Sequence, residues 1–174
     1  MNKFIFPFLV SLSFLSYDAL ALTTSMQIKI YALKKNSIKK PIGTIKIEES
    51  PYGLIFVPHL FSLPVGLHGF HVHEYPSCDM KDGVIGGAAG GHYDPDHTKK
   101  HLGPYNIHGH LGDLPELYVD DNGKAMMSVL APKIKKLAEI KERSLIIHLG
   151  GDNQSDHPLP LGGGGARLAC GIIK

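Results

Sequence analysis

Hydrophobic and polar residues alternate over residues 26–32, where Met26, Ile28, Ile30 and Ala32 are interleaved with Gln27, Lys29 and Tyr31. Side chains of an extended strand point alternately to opposite faces, so this period of two predicts a half-buried strand. Short runs of similar character predict further strands at 44–48, 54–57, 69–73, 124–130, 144–148 and 167–173. Asp121-Asn122-Gly123 has the chemistry of a positive-φ turn and predicts a hairpin joining residues 117–119 to 125–129. Residues 135–141 read as a short helical turn. Many short strands punctuated by such turns point to an all-β sandwich or barrel.

Two segments break this rhythm. Residues 74–114, a stretch of about 40, hold Gly, Pro, Asp and His without a sustained period, longer than a structureless loop runs without a function. Residues 150–165 end in the run Gly162 to Gly165. That run is not a phosphate cradle, because no strand, lysine and helix flank it in the required order.

The first 21 residues predict a cleaved secretory signal. Lys3 gives a positive start, residues 4–15 form an apolar run too short to span a bilayer, and Ala19-Leu20-Ala21 is a small-x-small cleavage pattern. The mature chain, 22–174, is then one exported domain with no membrane attachment, since 174 residues leave no room for a second. A net charge of +2 without runs of like charge excludes the electrostatic footprint of a nucleic-acid binder. Twenty glycines, twelve prolines and no tryptophan suit a loop-rich β protein. In an oxidising compartment the two cysteines, Cys78 and Cys170, can pair; two free thiols are the alternative.

Eleven histidines are more than such a domain needs, and their spacing is informative. In the strand at 69–73, His71 and His73 share one face while Phe70 and Val72 point the other way, toward a core. His92, His101 and His110 follow at intervals of nine, with Asp113 three further on. Three imidazoles and a carboxylate fill a closed tetrahedral zinc shell, and binding a metal there would order the long loop. Imidazoles also suit copper, which supplies the one-electron chemistry that zinc lacks.

The segments GFHVHE at 69–74, GGHYDP at 90–95, HLGP at 101–104, HLGDLP at 110–115, IIHLGGDN at 146–153 and ARLACG at 166–171 resemble the copper/zinc superoxide dismutases in order along the chain. KKLAEIKERS at 135–144 and the GGDN after His148 are similar to the bacterial periplasmic branch. The resemblance implies a Greek-key β-sandwich, a flattened eight-stranded barrel with two long functional loops. It implies one copper and one zinc per subunit, with copper on His71, His73, His92 and His148 and zinc on His92, His101, His110 and Asp113. His92 would then bridge the metals as a doubly deprotonated imidazole. Asp152 would link a copper-side to a zinc-side imidazole, Arg167 would orient superoxide, and Cys78 and Cys170 would form the disulfide.

The implied reaction converts superoxide to dioxygen and hydrogen peroxide in two half-reactions, with the His92 imidazole taking up and returning a proton. A periplasmic homodimer is the implied setting, protecting against superoxide outside the cytoplasm. The loop after His148 carries Asp152 and Asp156 but no lysine, so any substrate steering comes from elsewhere; Lys81, at a position resembling one that bacterial members use, is the candidate, with an ordinary solvated lysine as the alternative. His59, His68, His97, His108 and His157 are expected to be surface or locally hydrogen-bonded residues. A metal buffer on the same scaffold, or a zinc hydrolase, would use only part of this constellation.

Overall fold

The computed structural model describes residues 24–34 and 40–174. The signal sequence expected at 1–21 lies outside them. Among the described residues nine strands form: β1 (Ser25–Ala32), β2 (Pro41–Ser50), β3 (Gly53–Leu60), β4 (Gly66–His68), β5 (Phe70–His73), β6 (Leu117–Val119), β7 (Val129–Ala131), β8 (Arg143–His148) and β9 (Arg167–Ile173). Seven of them make one antiparallel sheet in the order β5-β8-β9-β1-β2-β3-β7, and β4 pairs with β6. β4 and β5 are one extended stretch that changes partner at Gly69, so the nine segments trace eight strand paths.

The large sheet curls upon itself. Phe56 on β3 and Phe70 on β5 have four strands between them in the sheet order, yet their rings meet edge to face with centroids 5.6 Å apart. Between the halves lies a single core of Ile28, Ile30, Ile45, Ile47, Leu54, Phe56, Phe70, Val72, Leu145 and Ile147. These are the inward members of the alternating pattern, and burying each such side chain contributes roughly 1.5–3 kcal/mol. The all-β expectation is met, and β9 coincides with the predicted 167–173 strand.

The hairpin expected around Asp121-Asn122-Gly123 does not form. The turn itself closes, with Gly123 N donating to Asp120 O at 2.9 Å and Asp120 N to Lys124 O at 2.9 Å. Beyond it the chain crosses between sheets: β6 pairs with β4, Ala125 bridges to Leu60, and β7 pairs with β3. Of the expected 124–130 strand only 129–130 is regular, as the start of β7, because Met126, Met127 and Leu130 are exposed and the apolar pattern there had no single buried face. The helical turn expected at 135–141 is a 3-10 turn at Leu137–Ile140, which buries Leu137 and Ile140.

The long segment 74–114 contains only one short 3-10 turn, Gly87–Ala89. Covalent and hydrogen bonds order it instead. Cys78 is joined to Cys170 on β9, closing a span of 92 residues. Among the described residues no helix is long and apolar enough to cross a membrane.

Candidate metal centre

β5 is the last strand of the large sheet, and its free edge would expose unpaired backbone. The long loop covers it. Val72 N donates to Gly112 O at 2.9 Å, Tyr93 N to Val72 O at 2.8 Å and Gly112 N to Tyr93 O at 2.8 Å. These bonds bring His92 beside His73 and Asp113 beside His71 as isolated bridges. Because side chains alternate along β5, Phe70 and Val72 enter the core while His71 and His73 turn toward the loop.

His148 ends β8, where the register with β9 shifts between Ile147 and His148 and sets His148 opposite Arg167. Such a bulge re-aims a side chain next to a site. The His101 amide is held by Asp156 Oδ2 at 2.9 Å, and the His110 amide donates to Lys100 O at 3.0 Å. The ammonium of Lys133 donates to Gly103 O and His110 O, fastening the same loop from the far side of the sequence.

Two sets of four donors result, His71/His73/His92/His148 and His92/His101/His110/Asp113, with ligand atoms of each set within 4.8 Å of one another. All seven residues are buried, and His92 belongs to both sets. Neighbouring groups decide which ring nitrogen each histidine offers. His71 Nε2 donates to Asp152 Oδ2 at 2.7 Å, which leaves Nδ1 for the first set. His73 Nδ1 and His148 Nδ1 donate to Gly90 O and Gly165 O at 3.0 and 3.2 Å, leaving their Nε2 atoms 3.4 Å apart.

In the second set the Nδ1 atoms of His92, His101 and His110 lie 3.0, 3.1 and 3.3 Å from one oxygen, Asp113 Oδ1. Ligands at about 2.0–2.1 Å from a tetrahedral zinc stand about 3.3 Å apart, so these separations are close to the edges of a coordination tetrahedron. Buried polar atoms are nearly always partnered, yet His71 Nδ1 and Asp113 Oδ2 have no hydrogen bond, and His101 Nδ1 makes only its 3.1 Å ion-pair contact with Asp113 Oδ1. The two ring nitrogens point one into each set. A cation at each position satisfies them, and both donor sets fit metals.

Electrostatics agree. Burial, then the neighbouring His92, holds His71 and His73 well below the ordinary histidine range, and burial lowers His148 to about 4. Burial opposes protonation of His101 too, but the adjoining carboxylates of Asp113 and Asp152 outweigh it and push His101 up to about 9. Burial likewise opposes ionisation of Asp113 and Asp152. Their hydrogen bonds, from His101, His110 and His92 to one and from His101 and His71 to the other, hold both well below the usual carboxylate range.

Asp152 joins the two halves, because its Oδ1 also accepts from His101 Nε2 at 2.8 Å. A cleft of about 330 Å³ opens onto His73, His92, His148 and Arg167, with Val84 and Leu161 also lining it. The Arg167 guanidinium is held by Gly86 O and Gly90 O, the second shared with His73. Lys81 is exposed and pairs through two backbone hydrogen bonds with Val84.

His59, His97, His108 and His157 are exposed and join neither set. His68 is buried between two carbonyls, with Nδ1 2.8 Å from His148 O and Nε2 2.9 Å from Pro64 O, so it supports the backbone at His148. Sequence reasoning missed Lys133, Asp156 as the holder of His101, and Glu116, whose Oε1 accepts from Asp152 N at 2.8 Å. Each acts on or through backbone atoms of a distant segment, for which a linear sequence carries no signal.

The family model described as "Copper/zinc superoxide dismutase (SODC)" matches residues 42–173. A superoxide dismutase [Cu-Zn] of Actinobacillus pleuropneumoniae is 59% identical over 139 residues, 78% of this chain and 73% of that protein. That of Brucella abortus is 53% identical over 158 residues, 88% of this chain and 91% of that protein. The solved Brucella abortus enzyme superposes with a TM-score of 0.83 at 54% identity, over 87% of this chain and all of that one. The monomeric enzyme of Salmonella enterica, solved in solution, gives 0.76 at 50% identity over the same shares.

The lowered imidazoles set a pH dependence for the demetallated protein. A histidine whose folded pKa lies below its unfolded value of about 6.5 is fully stabilising, relative to its protonated form, only above that value, and the contribution is lost as pH falls toward the folded pKa. For His148 the window runs from about 6.5 down to about 4 and amounts to roughly 3 kcal/mol. His101 has the opposite sign, its contribution present below about 6.5 and lost as pH rises through about 9. His71, His73 and His92 side with His148. The urea midpoint of demetallated protein should therefore drop between pH 7 and 4.5; a flat midpoint would contradict neutral buried imidazoles.

Proposed function

The chain belongs to the copper/zinc superoxide dismutase family, and on that basis we propose that its two donor sets are the enzyme's copper and zinc sites. Its activity is dismutation of superoxide to dioxygen and hydrogen peroxide, with copper and zinc as cofactors. Copper is assigned to His71, His73, His92 and His148, and zinc to His92, His101, His110 and Asp113. The observation that carries the assignment is the membership of His92 in both sets. Four imidazoles, three of them lining a cleft, suit copper, and three imidazoles with a carboxylate suit zinc.

When bound, copper supplies one-electron redox chemistry and zinc does not change oxidation state. The protein's own groups do the rest. The Arg167 guanidinium, fixed by two carbonyls beside the cleft, attracts the superoxide anion and orients it toward the His73, His92 and His148 imidazoles. The three imidazoles that line the cleft are themselves buried, which limits their contact with bulk water. His92 Nδ1 faces Asp113, so Nε2 is the atom that would be offered to copper, and a proton held there would be available for the peroxide product. Asp152 fixes the rings of His71 and His101 together, and such hydrogen bonds set ring orientation and donor strength.

Lys81 is assigned the steering role. Its backbone pairing with Val84, a residue of the cleft wall, keeps an exposed positive charge next to the approach to Arg167. An exposed charge acts over about a Debye length, some 10 Å at 0.1 M salt, and fades as salt rises. Residues 1–21 are assigned as a signal sequence that delivers the mature domain, 22–174, to the periplasm. Support comes from the bacterial sources of the relatives and from the Cys78–Cys170 disulfide, which persists in oxidising compartments. The solved Salmonella enterica enzyme is monomeric, so a homodimer of this chain rests on the family resemblance alone.

Two variants test these roles. His148→Ala should lose essentially all superoxide consumption when assayed with copper and zinc supplied, and retained activity would remove His148 from the copper site. Lys81→Ala should lower the second-order rate severalfold at low ionic strength and flatten its salt dependence. An unchanged rate at every salt concentration would remove steering by Lys81.

A further inference from the structure

The run Gly162 to Gly165 lies directly against the metal centre. Gly162 is buried and adopts φ +75, the left-handed region that favours glycine. A Cβ built on it would stand 1.9 Å from Asp152 Oδ1, 2.6 Å from Asp152 Cγ and 2.8 Å from His101 Nε2. No methyl group fits at such distances.

Neither side can yield cheaply. Gly162 N donates to Ser155 O at 3.0 Å and Asn153 N donates to Gly162 O at 3.0 Å, tying the glycine to the segment that follows Asp152. The Asp152 carboxylate is held in turn. Oδ1 accepts from His101 Nε2 at 2.8 Å and from Gln154 N at 2.7 Å, Oδ2 accepts from His71 Nε2 at 2.7 Å, and the Asp152 amide donates to Glu116 Oε1 at 2.8 Å.

We propose that Gly162 is a positioning residue of the metal centre, whose missing side chain lets the loop backbone close over Asp152 and lock its carboxylate between His71 and His101. The inference rests on the reading of Asp152 as the link between the copper-side and zinc-side imidazoles. A side chain at 162 displaces the carboxylate, which frees His101 to rotate and releases its Nδ1 from the zinc tetrahedron. Loss of an outer partner of a metal-binding imidazole costs about 10–100-fold in metal affinity, and that is the scale expected here.

The neighbouring glycine supplies the control. Gly163 has φ +74, so Gly163→Ala carries the same backbone penalty, but its Cβ would meet only Leu159, at 3.4 Å, an ordinary contact. Starting from holoenzyme, the zinc dissociation constant is measured by chelator competition for Gly162→Ala, Gly163→Ala, Asp152→Ala and the double variant Asp152→Ala/Gly162→Ala. The visible spectrum of cobalt(II) substituted for zinc is recorded alongside as a signature of ligand geometry.

Gly162→Ala should bind zinc about tenfold or more weakly than Gly163→Ala, with an altered cobalt spectrum, whereas the double variant should bind no more weakly than Asp152→Ala. Equal zinc affinity and equal spectra for the two alanine variants, with loss in Asp152→Ala, would overturn the role of Gly162 alone. Full affinity in Asp152→Ala would overturn the reading on which it rests. If Gly162→Ala does not fold, removing the Asp152 carboxylate in the double variant should restore folding; failure of the double variant while Asp152→Ala folds would overturn the proposal.

Discussion

Burying six imidazoles and a carboxylate in one pocket is the constraint on which the rest of the structure depends. A buried polar group without a partner costs on the order of 1–3 kcal/mol, and a buried charge costs more. Here the donors crowd to 3.0–3.4 Å of each other, and the His71 Nδ1 atom has no hydrogen-bond partner. Such a pocket is stable only if each donor is assigned one task. The hydrogen bonds that the imidazoles donate to Asp152, Gly90 and Gly165 make that assignment, because a neutral imidazole that donates through one nitrogen must offer the other as a lone pair. The remaining nitrogens converge as two donor sets that cations complete.

The same economy explains the loops. β5 needs a partner on its free edge, and the segment that supplies it brings His92 and Asp113 with it. Sheet completion and site construction are therefore one event. The disulfide pins the first part of that loop to β9, and Gly90 O, placed by this part, accepts from both His73 and Arg167. The Arg167 guanidinium and the His73 imidazole are thus fixed by a single carbonyl. On the other side Lys133 and Asp156 hold the backbone at His110 and His101.

Much of this was legible in the sequence. The alternation in 26–32 and 167–173 marks β1 and β9 because those strands bury one face continuously, and the order of His71, His73, His92, His101, His110, Asp113 and His148 identifies the donors. The expected hairpin after Val119 failed for a physical reason. The turn at Asp120–Lys124 is local chemistry, but the partners of the flanking strands are chosen by two faces of a curled sheet, which a linear pattern does not encode. Lys133, Glu116 and Asp156 escaped notice because each works on a main-chain group remote in sequence. Gly162 escaped because the role of a glycine lies in what approaches it, and only coordinates show that this is the Asp152 carboxylate.

Sharing of His92 by the two donor sets is read most directly by electron paramagnetic resonance, with copper(II) in one set and cobalt(II) in the other. One imidazolate touching both ions couples their spins, so the copper signal seen with zinc in the second set should broaden or vanish when cobalt replaces zinc. A copper signal unaltered by cobalt, with both metals present in full amount, would show that the two sets do not share a ligand.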